Sequence, residues 1–468
     1  MHMRNKSLFL TVFAILLPLC LQSMFAQQLK SLKELQQEFV DLRFGMFIHF
    51  NIPTFMTDDW ADPEATPAIF NPTKLDCNQW AAAAKSAKMR YGCLTTKHHS
   101  GFCLWNTKTT DYNVMNSPLH RDVVKEYTEA FRNAGLKTML YFSILDTHHR
   151  LRPGFVNRSH IEFVKAQLTE LLTNYGEITA LIIDGWDAPW SRISYEQIPF
   201  EEIYHLVKHL QPNCLMMDLN AAKYPKEALF YTDIKSYEQN AGQKISRESN
   251  RLPALSCLPI NAMWFWKDTF PTVKVKDPKF IVYDNIEPFN KAFCNFILNV
   301  SPNREGLIDA NALADLREIG KLWKDNDNPS IILPDSDAPI IAENIAKHRP
   351  ANSSWSYDMQ IMDFGNDDDF TTTWVSNTIV QEPWYEVELD RTRPFNMVTI
   401  ADPDASILSY KLLCRSDGVW KEILTANNDC KVKIHRFDTK WGDRVKLVIT
   451  KFRQQASLSE FGVYNEQR

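Results

Sequence analysis

Two acidic residues follow short apolar stretches, at positions where parallel strands would end. Asp184 closes the run 181–183, and Gly185 after it lets the chain turn. Glu238 lies just beyond a β-rich stretch, residues 230–235. A retaining glycoside hydrolase needs two carboxyl groups about 5 Å apart, one as nucleophile and one as acid/base. The sequence therefore offers Asp184 as nucleophile and Glu238 as acid/base.

For each of the two acids there are other candidate residues, and each acid also has a non-catalytic interpretation. Asp184 could cap a helix or a turn, and Asp187 lies in the loop beyond the same strand. Glu238 could be a solvated loop residue, with Glu248 and Glu227 as alternative acids. A catalytic acid needs a pKa raised toward working pH, which an apolar or aromatic wall can supply.

Histidines and aromatic residues accompany the ends of the other predicted strands. Neutral imidazoles can bind sugar hydroxyls, and flat rings match the apolar C–H face of a pyranose. Each tryptophan taken alone is more often a packing residue, and Trp266 is a further candidate of this kind. The candidate substrate-binding residues are His49, Trp60, His98, His99, Tyr141 and Trp264.

A metal site is the main alternative for this cluster of residues. His98, His99 and Asp184 could serve a metal-dependent barrel hydrolase, but adjacent residues rarely ligate one metal well. No His-x-His or His-x-x-x-His spacing accompanies them. A Gly-rich phosphate loop and a Gly-x-Ser-x-Gly elbow are also missing, and glycine is scarce at 14 residues. We therefore predict a site with no metal and no cofactor.

The elements that must position these residues alternate between β-rich runs and amphipathic segments. The amphipathic segments are residues 73–89, 122–134, 160–175 and 200–210. This alternation predicts an α/β fold with a (β/α)8-type barrel, some of whose later helices are missing or replaced by loops. The predicted strands are residues 44–50, 91–97, 138–143, 180–184, 214–219, 230–235, 257–265 and 295–300.

The sequence pattern changes after a polar stretch that contains Pro329 and Pro334. Alternating strand patterns follow, without a long helix, which predicts an all-β sandwich. We divide the chain into a signal peptide (1–26), a catalytic barrel (27–326), a linker (327–337) and the sandwich (338–468). The predicted strands of the sandwich are residues 384–389, 397–400, 408–414, 445–449 and 461–464.

The N-terminus has the pattern of a secretory signal. Arg4 and Lys6 precede an apolar run, residues 8–21, and Ala26 is the predicted cleavage point. Lipid attachment at Cys20 is disfavoured because the preceding Leu19 is bulky. We expect a periplasmic or extracellular protein with no membrane span. The formal net charge of -5 and the lack of a basic cluster argue against a nucleic-acid partner.

Eight cysteines follow the signal, and their scatter suits buried small residues better than a disulfide framework. Cys414 with Cys430 is the one pair to examine.

Five short motifs follow one another along the chain: RFGMFIHF at 43–50, TTKHHSGF at 95–102, LYFS at 140–143, IDG at 183–185 and LNVSP at 298–302. In this order they resemble glycoside hydrolase family 29, the α-L-fucosidases. The resemblance implies a retaining mechanism in which Asp184 is the nucleophile and residues 233–238 carry the acid/base. It also implies that His49, His98 and His99 bind fucose hydroxyls, with a fucosylated oligosaccharide or glycoconjugate as substrate.

The chain departs from the family pattern at three places. Ser100 replaces an Asp, Phe50-Asn51 replaces Trp-Gly, and Lys226 stands where an Arg often precedes the acid/base. The stretch 237–240 and the appended sandwich look closer to the subgroup that prefers α-1,3/1,4-linked fucose. A non-catalytic glycan-binding protein with the same fold is a further alternative.

The C-terminal region resembles discoidin-like (coagulation-factor C-type) carbohydrate-binding modules. Such a module binds sugars or buttresses the barrel. Its acidic stretch Asp367-Asp368-Asp369 could assist a calcium ion or form a solvated turn. The matching pieces are residues 344–346, 367–374, 384–387, 416–420 and 457–461.

Overall fold

The computed structural model describes residues 29–324, 331–357, 359, 361–428 and 430–467. The predicted signal peptide with Cys20, and residues 325–330 around the start of the predicted linker, lie outside the described residues. No helix in the described part of the chain is both long and apolar enough to cross a bilayer.

Eight parallel strands form a nearly closed barrel, which confirms the predicted fold class. Their order around the sheet is β5-β4-β3-β2-β1-β8-β7-β6. Most of the strand residues are buried, as expected where helices cover the outer face and side chains fill the interior. The strands are β1 (Phe44–Ile48), β2 (Tyr91–Lys97), β3 (Lys137–Ser143), β4 (Ala180–Asp184), β5 (Leu215–Asp218), β6 (Lys235–Glu238), β7 (Ala254–Pro259) and β8 (Cys294–Asn299).

Helices surround only part of the barrel. Asp76 and Asp122 cap two of them, each accepting hydrogen bonds from N–H groups of the first turn. After β5 and β6 the chain makes only short 3-10 turns, Ala221–Lys223 and Gln239–Ala241, so two outer helices are missing, as predicted. The helices are α1 (Leu32–Leu42), α2 (Cys77–Ser86), α3 (Val123–Asn133), α4 (Arg158–Asn174), α5 (Phe200–Leu210), α6 (Glu287–Asn290, after a π-helical turn Phe280–Ile286) and α7 (Ala310–Leu322).

The sixth strand was predicted at residues 230–235, and this was wrong: β6 begins at Lys235. Buried Asp233 explains the difference. Its N–H donates to the Met216 carbonyl (2.8 Å), and its carboxylate accepts from the Met216 N–H (2.9 Å). Lys208 of α5 holds the same carboxylate at 2.7 Å. These contacts therefore hold β5 and β6 together, although the two strands form no ladder of backbone hydrogen bonds.

The seventh strand was also predicted too late in the chain, at residues 257–265. β7 spans Ala254–Pro259, and residues 260–266 form a loop at the mouth of the barrel instead.

The barrel interior is apolar and is closed at its lower end by α1. Leu35 and Phe39 of that helix pack in one cluster with strand residues such as Phe47, Tyr141 and Met217. Burial of this cluster drives closure of the sheet, at roughly 25 cal/mol per Å² of apolar surface. The polar strand ends are thereby held at the opposite rim.

The C-terminal region is all β, as predicted. The main sheet is antiparallel, in the order β13-β12-β14-β11-β16, and its long strands β11 and β14 are each bent by register shifts. The strands are β9 (Ala351–Ser353), β10 (Trp374–Val375), β11 (Trp384–Ala401), β12 (Ile407–Ser416), β13 (Val419–Asn427), β14 (Val432–Phe452), β15 (Ser457–Leu458) and β16 (Glu460–Tyr464).

This domain covers the barrel beside β5 and β6, where outer helices are missing. Phe370 packs against Tyr224 and Phe230, with ring centroids 5.6 and 5.5 Å apart. Residue 230 also pairs with Ile340 in a short bridge. The sandwich therefore buttresses the barrel. The structure does not join Cys414 and Cys430 in a disulfide.

Candidate active site

The predicted site residues surround one cleft at the carboxyl ends of the barrel strands. The cleft has an empty volume of about 590 Å³. Both candidate carboxylates and all six candidate binding residues line it: His49, Trp60, His98, His99, Tyr141, Asp184, Glu238 and Trp264. Four lining residues had no predicted role: Phe47, Asp59, Trp190 and Leu219.

Asp184 is the last residue of β4 and is only 5% exposed. Its Oδ2 accepts a hydrogen bond from the Tyr141 hydroxyl (2.6 Å), and its Oδ1 accepts one from the Asn220 amide (2.9 Å). Burial raises the pKa of Asp184, and these bonds with the Gly185 N–H act in the opposite direction. The carboxylate is thus fixed in place by donors on both oxygens.

Glu238 is the last residue of β6 and is half-buried. Burial raises its pKa to about 7, the negative charge of Asp184 adds to the rise, and a hydrogen bond with Trp264 opposes it. The side chain therefore carries a proton at mildly acidic pH, as a general acid must.

The rival acids lie elsewhere. Glu227 and Glu248 are exposed, and neither belongs to the described residues that line the cleft. Asp187 is paired with Lys223 outside the cleft.

The proton positions on two histidines follow from their neighbours. Asn299 donates its amide to the Trp264 carbonyl (2.7 Å), so its Oδ1 accepts from His49 Nδ1 (2.7 Å). Likewise, Ser143 donates its hydroxyl proton to the Leu145 carbonyl (3.0 Å) and must accept from His99 Nδ1 (2.8 Å). Each ring is left with an unprotonated Nε2 that can accept a hydrogen bond.

Burial keeps the three histidines neutral. It lowers the pKa values of His49 and His99 to about 3, and that of His98 well below its usual value. His98 stacks on Tyr141 at a centroid distance of 5.7 Å. A neutral imidazole can donate a hydrogen bond to one hydroxyl group and accept one from another, and it needs no counter-ion. Neutral histidines therefore suit an uncharged sugar.

Aromatic rings form the upper wall of the cleft. Trp60 stacks on His99 (4.8 Å), and Trp264 lies 4.9 Å from His49. Asp59 fixes the loop that carries Trp264, because its carboxylate accepts the backbone N–H of that residue (2.9 Å). Trp266 does not line the cleft: it is buried, and its indole donates to Asp309 (2.6 Å).

Several residues that shape the site were not predicted. Asn220, Asn299 and Ser143 lie at or near strand ends, so their positions were visible in the sequence although their contacts with Asp184 and the histidines were not. Asp59 and Trp190 lie in loops, where the sequence carried no comparable signal.

Two of the residues that depart from the family motifs have local partners. Asn51 caps the turn Ile52–Phe55 and donates to the Phe102 carbonyl (3.1 Å). Lys226 is exposed and donates to the Ser249 hydroxyl (3.1 Å), away from the cleft.

Within the described parts of the chain, no group of three or more His, Cys, Asp or Glu side chains is arranged to hold a metal ion. In the acidic turn of the sandwich, Asp368 pairs with Lys347 of the same domain (3.0 Å) and with Lys223 of the barrel (3.5 Å).

Comparisons with known proteins agree with this geometry. The family model described as α-L-fucosidase matches residues 60–328, and that of the F5/8 type C domain matches residues 347–462. α-L-Fucosidase 1 of Arabidopsis thaliana is 29% identical over 455 residues, covering 90% of this chain and 84% of that protein. A putative α-L-fucosidase 1 of Oryza sativa is 25% identical, covering 90% and 82%.

Among solved structures, a putative α-L-fucosidase from Bacteroides thetaiotaomicron has the same fold. Its TM-score is 0.52 at 22% identity, covering 92% of this chain and 97% of that one.

Proposed function

Since this chain belongs to the α-L-fucosidase family, glycoside hydrolase family 29, we propose that it removes terminal α-linked L-fucose from glycans with retention of configuration. Asp184 is the nucleophile and Glu238 the acid/base. The observation that carries the assignment is that both carboxyl groups line one cleft, where burial and, secondly, the charge of Asp184 raise the pKa of Glu238. One acid thus stays protonated beside an ionised partner.

In the first step, an oxygen of Asp184 attacks C1 of fucose while Glu238 gives its proton to the glycosidic oxygen. The bond between C1 and that oxygen breaks, and the rest of the glycan leaves as an alcohol. The Tyr141 hydroxyl and the Asn220 amide hold the attacking carboxylate and stabilise its charge before the reaction.

In the second step, Glu238 is a carboxylate and takes a proton from a water molecule. The water oxygen attacks C1, the ester bond to Asp184 breaks, and fucose leaves with its original configuration. Both carboxyl groups then return to their starting protonation states.

Three neutral histidines support recognition of the sugar. The free Nε2 atoms of His49 and His99 accept hydrogen bonds from fucose hydroxyls, and His98 contributes a further polar edge beside them. Trp60 and Trp264 pack against the apolar parts of the substrate. The stretch 237–240 supports a preference for α-1,3/1,4 linkages, and the signal-like residues 1–26 support export to the periplasm or the extracellular space.

Azide rescue tests both catalytic roles. Asp184→Ala should lose release of nitrophenol from the aryl α-L-fucoside, and azide should restore it with the β-fucosyl azide as product. Glu238→Ala should keep the first step with this good leaving group, and azide should then give the α-fucosyl azide. Opposite configurations of the two products follow only if the residues have these separate roles.

The matched controls are nearby acids outside the cleft. Asp187→Ala and Glu248→Ala should retain turnover and give no azide product. Normal turnover by Asp184→Ala would refute the proposal. Binding of fucosylated glycans by the wild type without any product would favour the non-catalytic alternative, and activity lost to a chelator would favour the metal-dependent one.

A further inference from the structure

Two exposed tryptophans stand at the mouth of the cleft. Trp60 is 46% exposed and Trp190 is 41% exposed, whereas His99 beneath them is buried. The two indoles meet nearly at a right angle, with centroids 5.4 Å apart and planes at 75°. Trp190 also contacts the His99 ring at 4.3 Å. The pair therefore forms an open corner directly above a sugar-binding histidine.

The positions of Asp184, His99 and the two tryptophans show which part of a bound substrate would lie at this corner. Asp184 is buried, with its Oδ2 3.9 Å from His99 Nε2. The tryptophans lie on the outer side of the same ring. Because a terminal fucose would bind beside Asp184, the remainder of the glycan extends toward the open mouth of the cleft, where Trp60 and Trp190 are exposed.

The loop that carries Trp190 is firmly held. Trp186 is buried, and its indole donates to the Ile198 carbonyl (2.9 Å). The Asp187 N–H donates to the Ile193 carbonyl (2.8 Å), which closes the loop across its base. A large indole kept exposed on a rigid loop beside a cleft is typical of a binding surface rather than of a packing residue.

We propose that Trp60 and Trp190 form the subsite that receives the leaving-group sugar, and that this subsite selects a pyranose presenting an apolar C–H face. This inference rests on the proposed fucosidase function. An indole face and a perpendicular indole edge complement a flat, uncharged ring, and neither tryptophan supplies a charge that would favour an anionic group. Trp190 is therefore a specificity-determining residue for the aglycone.

The test compares two substrates that differ in leaving group. One is α-L-fucosyl fluoride, whose leaving group is a single atom. The other is the disaccharide of fucose and N-acetylglucosamine, in whichever linkage the wild type cleaves fastest. For Trp190→Ala, kcat/KM for the disaccharide should fall about tenfold or more relative to kcat/KM for the fluoride, the size expected for one apolar contact in a pocket. Trp190→Phe keeps a flat ring and should recover most of that ratio.

Trp441→Ala is the matched control, because Trp441 is 59% exposed and lies on the sandwich away from the cleft. It should leave the ratio of the two constants at the wild-type value. Equal losses on both substrates in Trp190→Ala would overturn the inference, as would no loss on either. If the wild type itself releases fucose from neither substrate, the proposed function fails instead, so the two failures can be told apart.

Discussion

The hydrogen bond from Asn220 to the nucleophile should control the acidic side of the pH profile. The Asn220 amide lies 2.9 Å from Asp184 Oδ1, and Asn220 is not among the described residues that line the cleft. Its backbone is fixed as well, because its N–H donates to Asp218 Oδ1 (2.8 Å). Replacing Asn220 with alanine therefore removes support of the carboxylate without removing a lining residue.

The expected magnitude follows from the type of bond. A hydrogen bond to a charged group contributes about 1.5–3 kcal/mol. Since one pKa unit corresponds to about 1.4 kcal/mol, its loss should raise the pKa of Asp184 by roughly 1–2 units. The direction is upward because the amide donor stabilises the ionised form, and only that form attacks C1.

The assay is kcat/KM for an aryl α-L-fucoside as a function of pH. The acidic limb of Asn220→Ala should move to higher pH by roughly 1–2 units. Asn220→Asp should move it in the same direction, because a second carboxylate beside Asp184 disfavours ionisation. Lys226→Ala is the control, since its side chain is exposed and donates to the Ser249 hydroxyl, away from the cleft. An acidic limb that stays in place in both Asn220 variants would refute this reasoning.

Two further predictions concern the acid/base and the domain boundary. Glu238 must be protonated to act as an acid, so kcat/KM should fall as pH rises through about 7. Asp184→Asn removes the charge that helps to raise this pKa, so a 13C NMR titration of Glu238 should give a lower value; an unchanged value would contradict the coupling. Asp368→Asn weakens the ion pairs with Lys223 and Lys347, which are partly exposed. It should lower the free energy of unfolding by about 1 kcal/mol or less, and an effect that persists at 1 M salt would show that the ion pairs are not its cause.

Much of the site could be predicted because the fold places strand ends together. Asp184, His98 and His99 follow apolar strands whose positions were predicted to within a residue. The carboxyl ends of parallel barrel strands converge whatever the details of the surrounding loops. The local sequence pattern was therefore sufficient to predict that these side chains lie at one rim of the barrel.

The sixth strand shows where local pattern fails. Residues 230–235 are rich in β-forming side chains, which predicts a strand, but Asp233 turns its carboxylate to Met216 and Lys208 instead. A buried carboxylate needs partners, and these come from β5 and α5. Glu238 consequently closes β6 rather than following it, a position that no local property of the sequence indicates.

The sequence by itself determined the alternation of strands and helices, the acids and histidines at the strand ends, and the change to an all-β domain. Which tryptophan faces the cleft was decided by tertiary contacts alone. Asp59 binds the backbone of Trp264 from 205 residues away, and Asp309 binds the indole of Trp266 from 43 residues away. Strand ends are set by short-range periodicity, but the direction of a loop side chain depends on partners that only the closed barrel brings near.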